Sequence, residues 1–540
     1  MRELADALMS GLGLLAGLPR FLRHPTTTER AAAALEARLT DRAAALRDVV
    51  VRARALASGP YRPLLETAGV SAEMVERLVT QTGVEAALMD LWRRGVYLSL
   101  EELTGRRPVA RGGSQNAGPL ARTTAGAGAW TNSSGSRDRP RLIPVPLAFL
   151  AERATNDRLF LEARGALGWE HAVWEAPGGA LLTLLRYARC GVRPRRWFSP
   201  IDPSTPGLGA RYRWSSAGLG LGGRLAGVSL PGLEVVSVEH PGPVLAWMQA
   251  VLRRGATPHL DTFVTPALRL AQAAYAQGVD LSGAHLTVVG EPLTATRRAT
   301  IESTGARVVP TYRTAEAGVV GYGCLNAALP DEVHVAHDLV AVVASPAPDG
   351  GEANPRPLWV TSLRPHAPML LLNAALGDEG VIGARPCGCP LEGLGWRTHL
   401  HTIRGIDKLT AAGMTFLDVD LVGILDEVLP ACHGGGPTHY QLVEEEGDEG
   451  EPLLRLLIHP DVGPLDGEAV RETFLEAIGR GPTVHRVMAM QWRASGLPRV
   501  ERRPPLVGQT GKVLHIFRNR AILVGAEEEP IHGPDRQAPR

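Results

Sequence analysis

The chain of 540 residues is 44% hydrophobic, which at about 150 residues per domain implies two to four domains with a sizeable core. Its 57 basic and 56 acidic residues leave a formal charge of +1, which argues against nucleic acid or an anionic membrane surface as the main partner. Five cysteines exclude a disulfide scaffold and suit a reducing compartment, so a cytoplasmic location is expected, and 61 glycines with 42 prolines predict a globular but loop-rich chain.

Residues 7–18 are apolar but too few to span a bilayer, and Glu3 and Asp6 spoil a basic leader, so an amphipathic helix is expected there. Residues 29–56, rich in Ala, Leu and Arg at helical spacing, predict a helix. Ser71 suits the N-cap of a second helix running to about Arg94. Residues 1–110 therefore read as a helical region that packs on a core. From 111 to 141 the composition turns to Gly, Ser, Thr, Asn and Arg, the signature of a long loop. Residues 285–290 (HLTVVG) predict a buried strand, 294–304 a helix and 306–312 (ARVVPTY) a second strand, which together make a βαβ unit with a parallel pair. Further strands are expected at 339–344 and 358–363. After a Gly- and Pro-punctuated stretch the pattern restarts, with strands at 440–445 and 453–459 and a helix near 465–478. This predicts a small α+β domain from about Arg404, ending in a frayed tail beyond Glu527.

Six short segments carry residues suited to chemistry. The run Thr131-Asn-Ser-Ser-Gly-Ser-Arg-Asp-Arg-Pro140 could surround phosphate oxygens with N–H and O–H groups, or be a solvated loop; it has no Gly-Lys-Ser/Thr ending. Gly290-Glu-Pro-Leu293 and Tyr312-Arg-Thr-Ala-Glu316 follow the two predicted parallel strands, at the edge where open α/β sheets bind ligands. Glu316 could hold Mg²⁺ on a nucleotide, or simply be an acid at a helix N-terminus. Asp378, after Gly377, could bind ribose hydroxyls or merely turn the chain. Arg404-Gly-Ile-Asp-Lys408 and Gln509-Thr-Gly-Lys512 complete the set. Lysine occurs only as Lys408 and Lys512, and in an arginine-rich chain it points to sites a guanidinium cannot serve.

In this order the segments resemble the adenylate-forming acyl-/aryl-CoA synthetase superfamily, in its phenylacetate–CoA ligase-like branch, over roughly residues 111–517. The upstream Gly95-Val-Tyr-Leu is similar to that branch as well. The resemblance implies a large multi-layer α/β domain with parallel sheets (111–403), a helical N-terminal region (1–110) and a small mobile α+β lid (404–540). It implies that Thr131, Ser133, Ser134, Gly135 and Ser136 hold the triphosphate of ATP, and that Gly290, Glu291, Pro292 and Tyr312 flank the adenine, with Arg313 and Thr314 also in the cofactor site. Asp378 would hold the ribose with Arg404 nearby, Glu316 would be the Mg²⁺-associated acid, and Asp407 with Lys408 the hinge. Lys512, on the lid, would reach the substrate carboxylate and the α-phosphate. The implied partners are a small carboxylic acid, an aromatic one included, and CoA; transfer to an amine or a carrier-protein thiol is the alternative, and a homodimer is left open.

The chain departs from that family at named positions. Arg137 and Asp138 stand where the phosphate loop continues Thr-Gly, Asn373-Ala-Ala-Leu376 replaces an aromatic-basic run, and Ile406 stands where arginine is common. These differences motivate a second reading, a catalytically weakened nucleotide- or acyl-binding relative. Separately, Cys324, His334, Cys387 and Cys389 suit tetrahedral Zn²⁺, with His337 as a substitute ligand and buried inert cysteines as the alternative. The resemblance implies a structural zinc here, since some members of that branch carry such a set. A generic zinc-stabilised α/β binding protein is the third reading. Cys190 and Cys432 read as small hydrophobes, and His240 and His259 as loop histidines.

Overall fold

The computed structural model describes residues 13–14, 16–57, 59–105, 107–111, 128–132, 142–202, 223, 227–346, 355–405, 410–411, 414–415, 421–446, 452–480, 489–490, 492–493, 495–507 and 512–519. The chain divides into two compact units, Met1–Asp407 with Val507–Leu514, and Lys408–Leu506 with His515–Arg540. No described helix is long and apolar enough to cross a membrane.

The N-terminal part of the larger unit is helical, but its helices are shorter than the sequence suggests. The expected helix over 29–56 is two, Thr28–Thr40 and Arg42–Ala55, parted at Asp41. Ser71 does cap a helix, accepting from the Met74 amide, yet that helix stops at Thr82 and another begins at Val84. Gly83, with φ of 85°, takes a conformation L-residues avoid, and so ends the first helix and starts the second. Only part of the 7–18 expectation lies within the described residues; residues 16–20 are helical.

A hairpin of β1 (Gly128–Asn132) and β2 (Leu142–Pro146) precedes the main sheet. The main sheet begins with β3 (Glu170–Trp174), β4 (Arg196–Ser199), β5 (Leu233–Val235) and β6 (Pro258–Phe263). It continues with β7 (His285–Val289), β8 (Arg307–Thr314), β9 (Gly318–Tyr322) and β10 (Val333–Val335). It ends with β11 (Val340–Ala344), β12 (Arg356–Ser362), β13 (Ala374–Ala384) and β14 (Thr398–Gly405). The twelve strands lie in the order β11-β12-β13-β14-β10-β9-β8-β7-β6-β3-β4-β5. From β5 to β8 every pairing is parallel, and from β8 onward every pairing is antiparallel. The expected α/β fold is thus present, its parallel strands forming one half of a twelve-stranded mixed sheet.

The βαβ expectation over 285–312 is met by β7, the helix Ala295–Glu302 capped by Thr294, and β8. Every residue of β6 is buried, as befits a central parallel strand covered on both faces. Asn373, a departure from the resembled family, has a structural explanation. It is buried with φ of 46°, and its side-chain amide donates to the Leu88 and Val96 carbonyls at 2.8 and 3.2 Å. It therefore clamps the N-terminal helices to the start of β13.

The smaller unit holds a hairpin of β15 (Thr410–Ala411) and β16 (Met414–Thr415), then β17 (Tyr440–Glu446), β18 (Pro452–Ile458), β19 (Arg499–Arg502) and β20 (Ile516–Asn519). Its four-stranded sheet runs β19-β18-β17-β20, and Val470, Phe474, Leu475 and Ile478 of the helix Gly467–Gly479 share its core with Leu442, Leu454 and Leu456.

Candidate active site and metal centre

Neighbouring parallel strands end together along one edge. Trp174 of β3 is level with Thr262 of β6, Phe263 of β6 with Val289 of β7, and Val289 with Thr311 of β8. The residues just past those positions, Glu175, Val264–Thr265, Gly290 and Tyr312, therefore line the carboxyl edge of the sheet. Such an edge gathers ligands because the strands deliver chain turns and helix N-termini there.

Lys512 lies at this edge. Its ammonium donates to the Gly290 carbonyl at 3.3 Å and sits 4.3 Å from the centre of the Phe263 ring. Beside it, the Val513 amide donates to Thr265 Oγ1 at 3.3 Å. Thr265 in turn donates from its amide and hydroxyl to Glu291, at 2.9 and 2.6 Å. Gly290 has φ of 81°, and a Cβ there would fall 2.5 Å from Lys512 Nζ. Only glycine gives both the turn and the room. Burial lowers the Lys512 pKa from its usual value, partly offset by the charges of Glu291 and Glu175. The sequence places Lys512 in a lid beginning at Arg404; here Val507–Leu514 group with the larger unit, with Val513 buried.

The Tyr312 hydroxyl donates to Asp378 Oδ2 at 2.7 Å, so these two residues from distant segments meet. Arg404, cross-strand from Glu379, is engaged by Asp331: they pair at 2.7 Å, and Asp331 also accepts from the Thr402 and Ile403 amides. Arg313 pairs with Asp261 at 3.2 Å, and Thr314 Oγ1 accepts from the Ala317 amide at 3.0 Å. Glu316 is half-buried in the turn joining β8 to β9, not at a helix N-terminus, because the chain reverses into an antiparallel strand there. Pro292 accepts from Arg297 at 3.4 Å. Thr131 is on β1, opposite Ile143. Ser133, Ser134, Gly135, Ser136, Arg137, Asp138, Ile406, Asp407, Lys408 and the tail beyond Glu527 lie outside the described residues.

Sequence reasoning overlooked Glu175, Phe263 and Thr265. The available signal was a polar residue or Pro-containing turn directly after a buried strand, in WEAPGG and DTFVTP. Two other expectations are corrected. His259 is in β6 and fully buried, not in a loop, whereas His240 is an exposed turn residue; Cys432 is exposed, while Cys190 is buried as expected.

The cysteine and histidine set converges. One ligand atom from each of Cys324, His334, Cys387 and Cys389 lies within 4.8 Å of all the others. His334 Nε2 is 3.6 Å from Cys387 Sγ and 3.2 Å from Cys389 Sγ, close to the ligand–ligand separations of a tetrahedral zinc site. His334 Nδ1 bonds the Trp396 carbonyl at 2.6 Å, which presents Nε2 to the sulfurs. Burial and neighbouring sulfurs raise the Cys324 thiol far above its usual pKa, a penalty that a bound cation removes. His337 is elsewhere, 3.3 Å from Glu85.

No family model and no curated protein matches the chain. Several solved structures are similar to it at low TM-score. The amide bond synthetase McbA from Marinactinospora thermotolerans is 15% identical with a TM-score of 0.40, covering 93% of this chain and 98% of its own. The anthranilate CoA ligase AuaEII in complex with anthranoyl-AMP is 14% identical with a TM-score of 0.42, covering 90% of this chain and 97% of its own. McyG A-PCP complexed with phenylalanyl-adenylate is 12% identical with a TM-score of 0.42, covering 73% of this chain and 66% of its own.

Proposed function

We propose that the chain is an AMP-forming ligase that activates a carboxylic acid with ATP. The observation that carries this reading is the Lys512 ammonium held at Gly290 on the carboxyl edge of the parallel strands, on the edge where Tyr312, bonded to Asp378, also stands. The order of the motifs along the sequence supports it independently.

In the proposed reaction a carboxylate oxygen attacks the α-phosphorus of ATP. The new O–P bond forms as the α–β bridging bond breaks, and pyrophosphate leaves with the electron pair. Two anions must approach each other, so the step needs fixed positive charge. Lys512 supplies it: a compact ammonium reaches both the carboxylate and the α-phosphate, while Gly290 leaves the space. Asp378 receives the ribose hydroxyls, with Tyr312 orienting its carboxylate. Glu316 is the residue assigned to Mg²⁺, which neutralises phosphate charge when bound. Thr131 and the Ser/Gly-rich segment after it are assigned to the triphosphate. The acyl adenylate is then open to a thiol, CoA first, or to a carrier-protein thiol or an amine. We assign Cys324, His334, Cys387 and Cys389 to a closed, structural Zn²⁺ site.

Exchange of labelled pyrophosphate into ATP over a panel of carboxylic acids tests the first half-reaction. Acid-dependent exchange is expected, and well-folded protein that exchanges with no acid contradicts the proposal. Adding CoA, a carrier protein or amines in turn identifies the acceptor by which one accelerates AMP release.

A further inference from the structure

One half-buried carboxylate at the carboxyl edge is not accounted for by ATP chemistry. Glu175 directly follows β3, and two strand spacings of about 4.8 Å separate it from Gly290, so its backbone stands about 10 Å from the Lys512 anchor. Its Oε2 accepts from Thr183 Oγ1 at 3.2 Å, and no ion pair to it is found among the described residues. The nearby arginines are committed: Arg186 pairs with Asp157, and Arg313 with Asp261. Gly179 makes the space, since a Cβ there would run into Glu175 Oε1.

The next strand repeats the theme. Alternation along β6 puts Asp261 on the same sheet face as Phe263, on whose ring Lys512 rests. Asp261 is 2% exposed; its Oδ2 accepts from Tyr187 and Arg313, each at 3.2 Å, while its Oδ1 is buried with no partner. A buried carboxylate oxygen without a donor is costly, so such atoms mark places where a ligand brings the missing hydrogen bond. Burial and Asp261 raise the pKa of Glu175, with Arg313 and Arg186 opposing in part.

We propose that Glu175, backed by Asp261, receives a basic nitrogen on the acid substrate, so that the enzyme selects amino-bearing carboxylic acids: carboxylate towards Lys512, ammonium towards Glu175. This inference rests on the carboxylate-activating reading above and names its substrate class. It accounts for two acids beside a lysine at one edge, since a zwitterion needs both signs.

The test is pyrophosphate exchange with matched acids that differ by one amino group, such as phenylalanine against 3-phenylpropanoic acid and aminobenzoic against benzoic acids. Wild-type kcat/KM should favour the amino member of the preferred pair by at least about tenfold, because a site built for a donor rejects the analogue lacking it. Glu175→Gln should bring the two members to near parity, with KM for the amino acid rising more than kcat falls, and Glu175→Asp should keep part of the preference. A control without variants compares wild-type affinity for the acyl-sulfamoyl adenosines of the same pairs, where the amino form should again bind at least about tenfold tighter. Equal or better exchange with the neutral acids, or a preference unchanged in Glu175→Gln, overturns the role of Glu175 while carboxylate activation stands. Absence of exchange with every acid overturns both.

Discussion

At their amino ends β3, β6 and β7 carry His171, His259 and His285 side by side in register; at their carboxyl ends the same strands run into Glu175, Phe263–Thr265 and Gly290. A run of amino-end polar groups bond one another, although His285 Nδ1 and Arg164 Nε and Nη2 are buried without a partner. Arg164 donates to Thr287 Oγ1 at 2.8 Å, and Thr287 bonds His259 Nε2 at 2.8 Å. His259 bonds His171 through their Nδ1 atoms at 2.8 Å, and His171 Nε2 bonds the Ala166 carbonyl at 3.0 Å. A single direction satisfies the whole chain: Thr287 donates to His259, His259 to His171, and His171 to Ala166, each imidazole neutral with one proton. At the carboxyl end Asp261 Oδ1 is buried without a partner, and Gly179 and Gly290 make room for the Glu175 and Lys512 side chains. A closed chain of donors and acceptors is a means of packing polar side chains in a core. An acceptor left without a donor near the edge proposed to bind substrate is a means of receiving something else.

Breaking the open end should have the largest consequence. Lys512→Ala should cost about 10²–10³-fold in pyrophosphate exchange, the usual scale for removing one fixed charge stabiliser, with little change in melting temperature. Lys512→Arg should also be poor, since the planar fork cannot replace a compact ammonium at the Gly290 carbonyl. Wild-type rates in either variant would remove the role of Lys512. Gly290→Val forces a β-branched residue to a φ of 81° and displaces Lys512, so about 10²-fold loss of exchange is expected, read with a melt to show that the fold survives.

Outside both ends, Cys387→Ser should lower bound zinc, measured by atomic absorption, from about one ion per chain to near none, and lower the melting temperature without a direct effect on the exchange step. Zinc content unchanged by the substitution would remove the site.

The closed end gives the smallest effect, and a pH-dependent one. Burial holds His171 at about 4 and His259 well below the usual value, against 6.5 for the free side chain. Between those values the unfolded chain binds more protons than the folded one. Stability is therefore fully present above pH 6.5 and declines as pH falls towards 4, by at most about 1.4 kcal/mol per pH unit per histidine. Thermal melts at pH 7 and pH 5 should differ by a few degrees, and His171→Gln with His259→Gln should flatten the difference.

The two ends also differed in how far they could be read from the sequence. The βαβ unit over 285–312 was legible because a short β-branched run, a capped helix and a second such run leave little choice of topology. The cysteine and histidine set was legible by residue type, although its members come from β10, the exit of β9 and a distant loop. Lys512 stood out because lysine is rare in this chain. Glu175 was hidden: its meaning depends on Gly179 and Thr183 across one helix turn and on a pairing of β3 with β6 that no local pattern encodes. The breaks at Asp41 and Gly83 were hidden for the opposite reason, since the helical composition runs on through both. Asn373 looked like a lost functional residue and proved to be a clamp, because its partners, Leu88 and Val96, lie nearly three hundred residues away in sequence.

The most direct measurement is to incubate the wild-type protein with Mg²⁺, ATP labelled at the α-phosphate and the panel of acids, and to follow the label. The account predicts that label appears in an acyl adenylate and then in AMP, with one pyrophosphate released for each label transferred. Label recovered as ADP, or left in ATP with every acid tried, would contradict it.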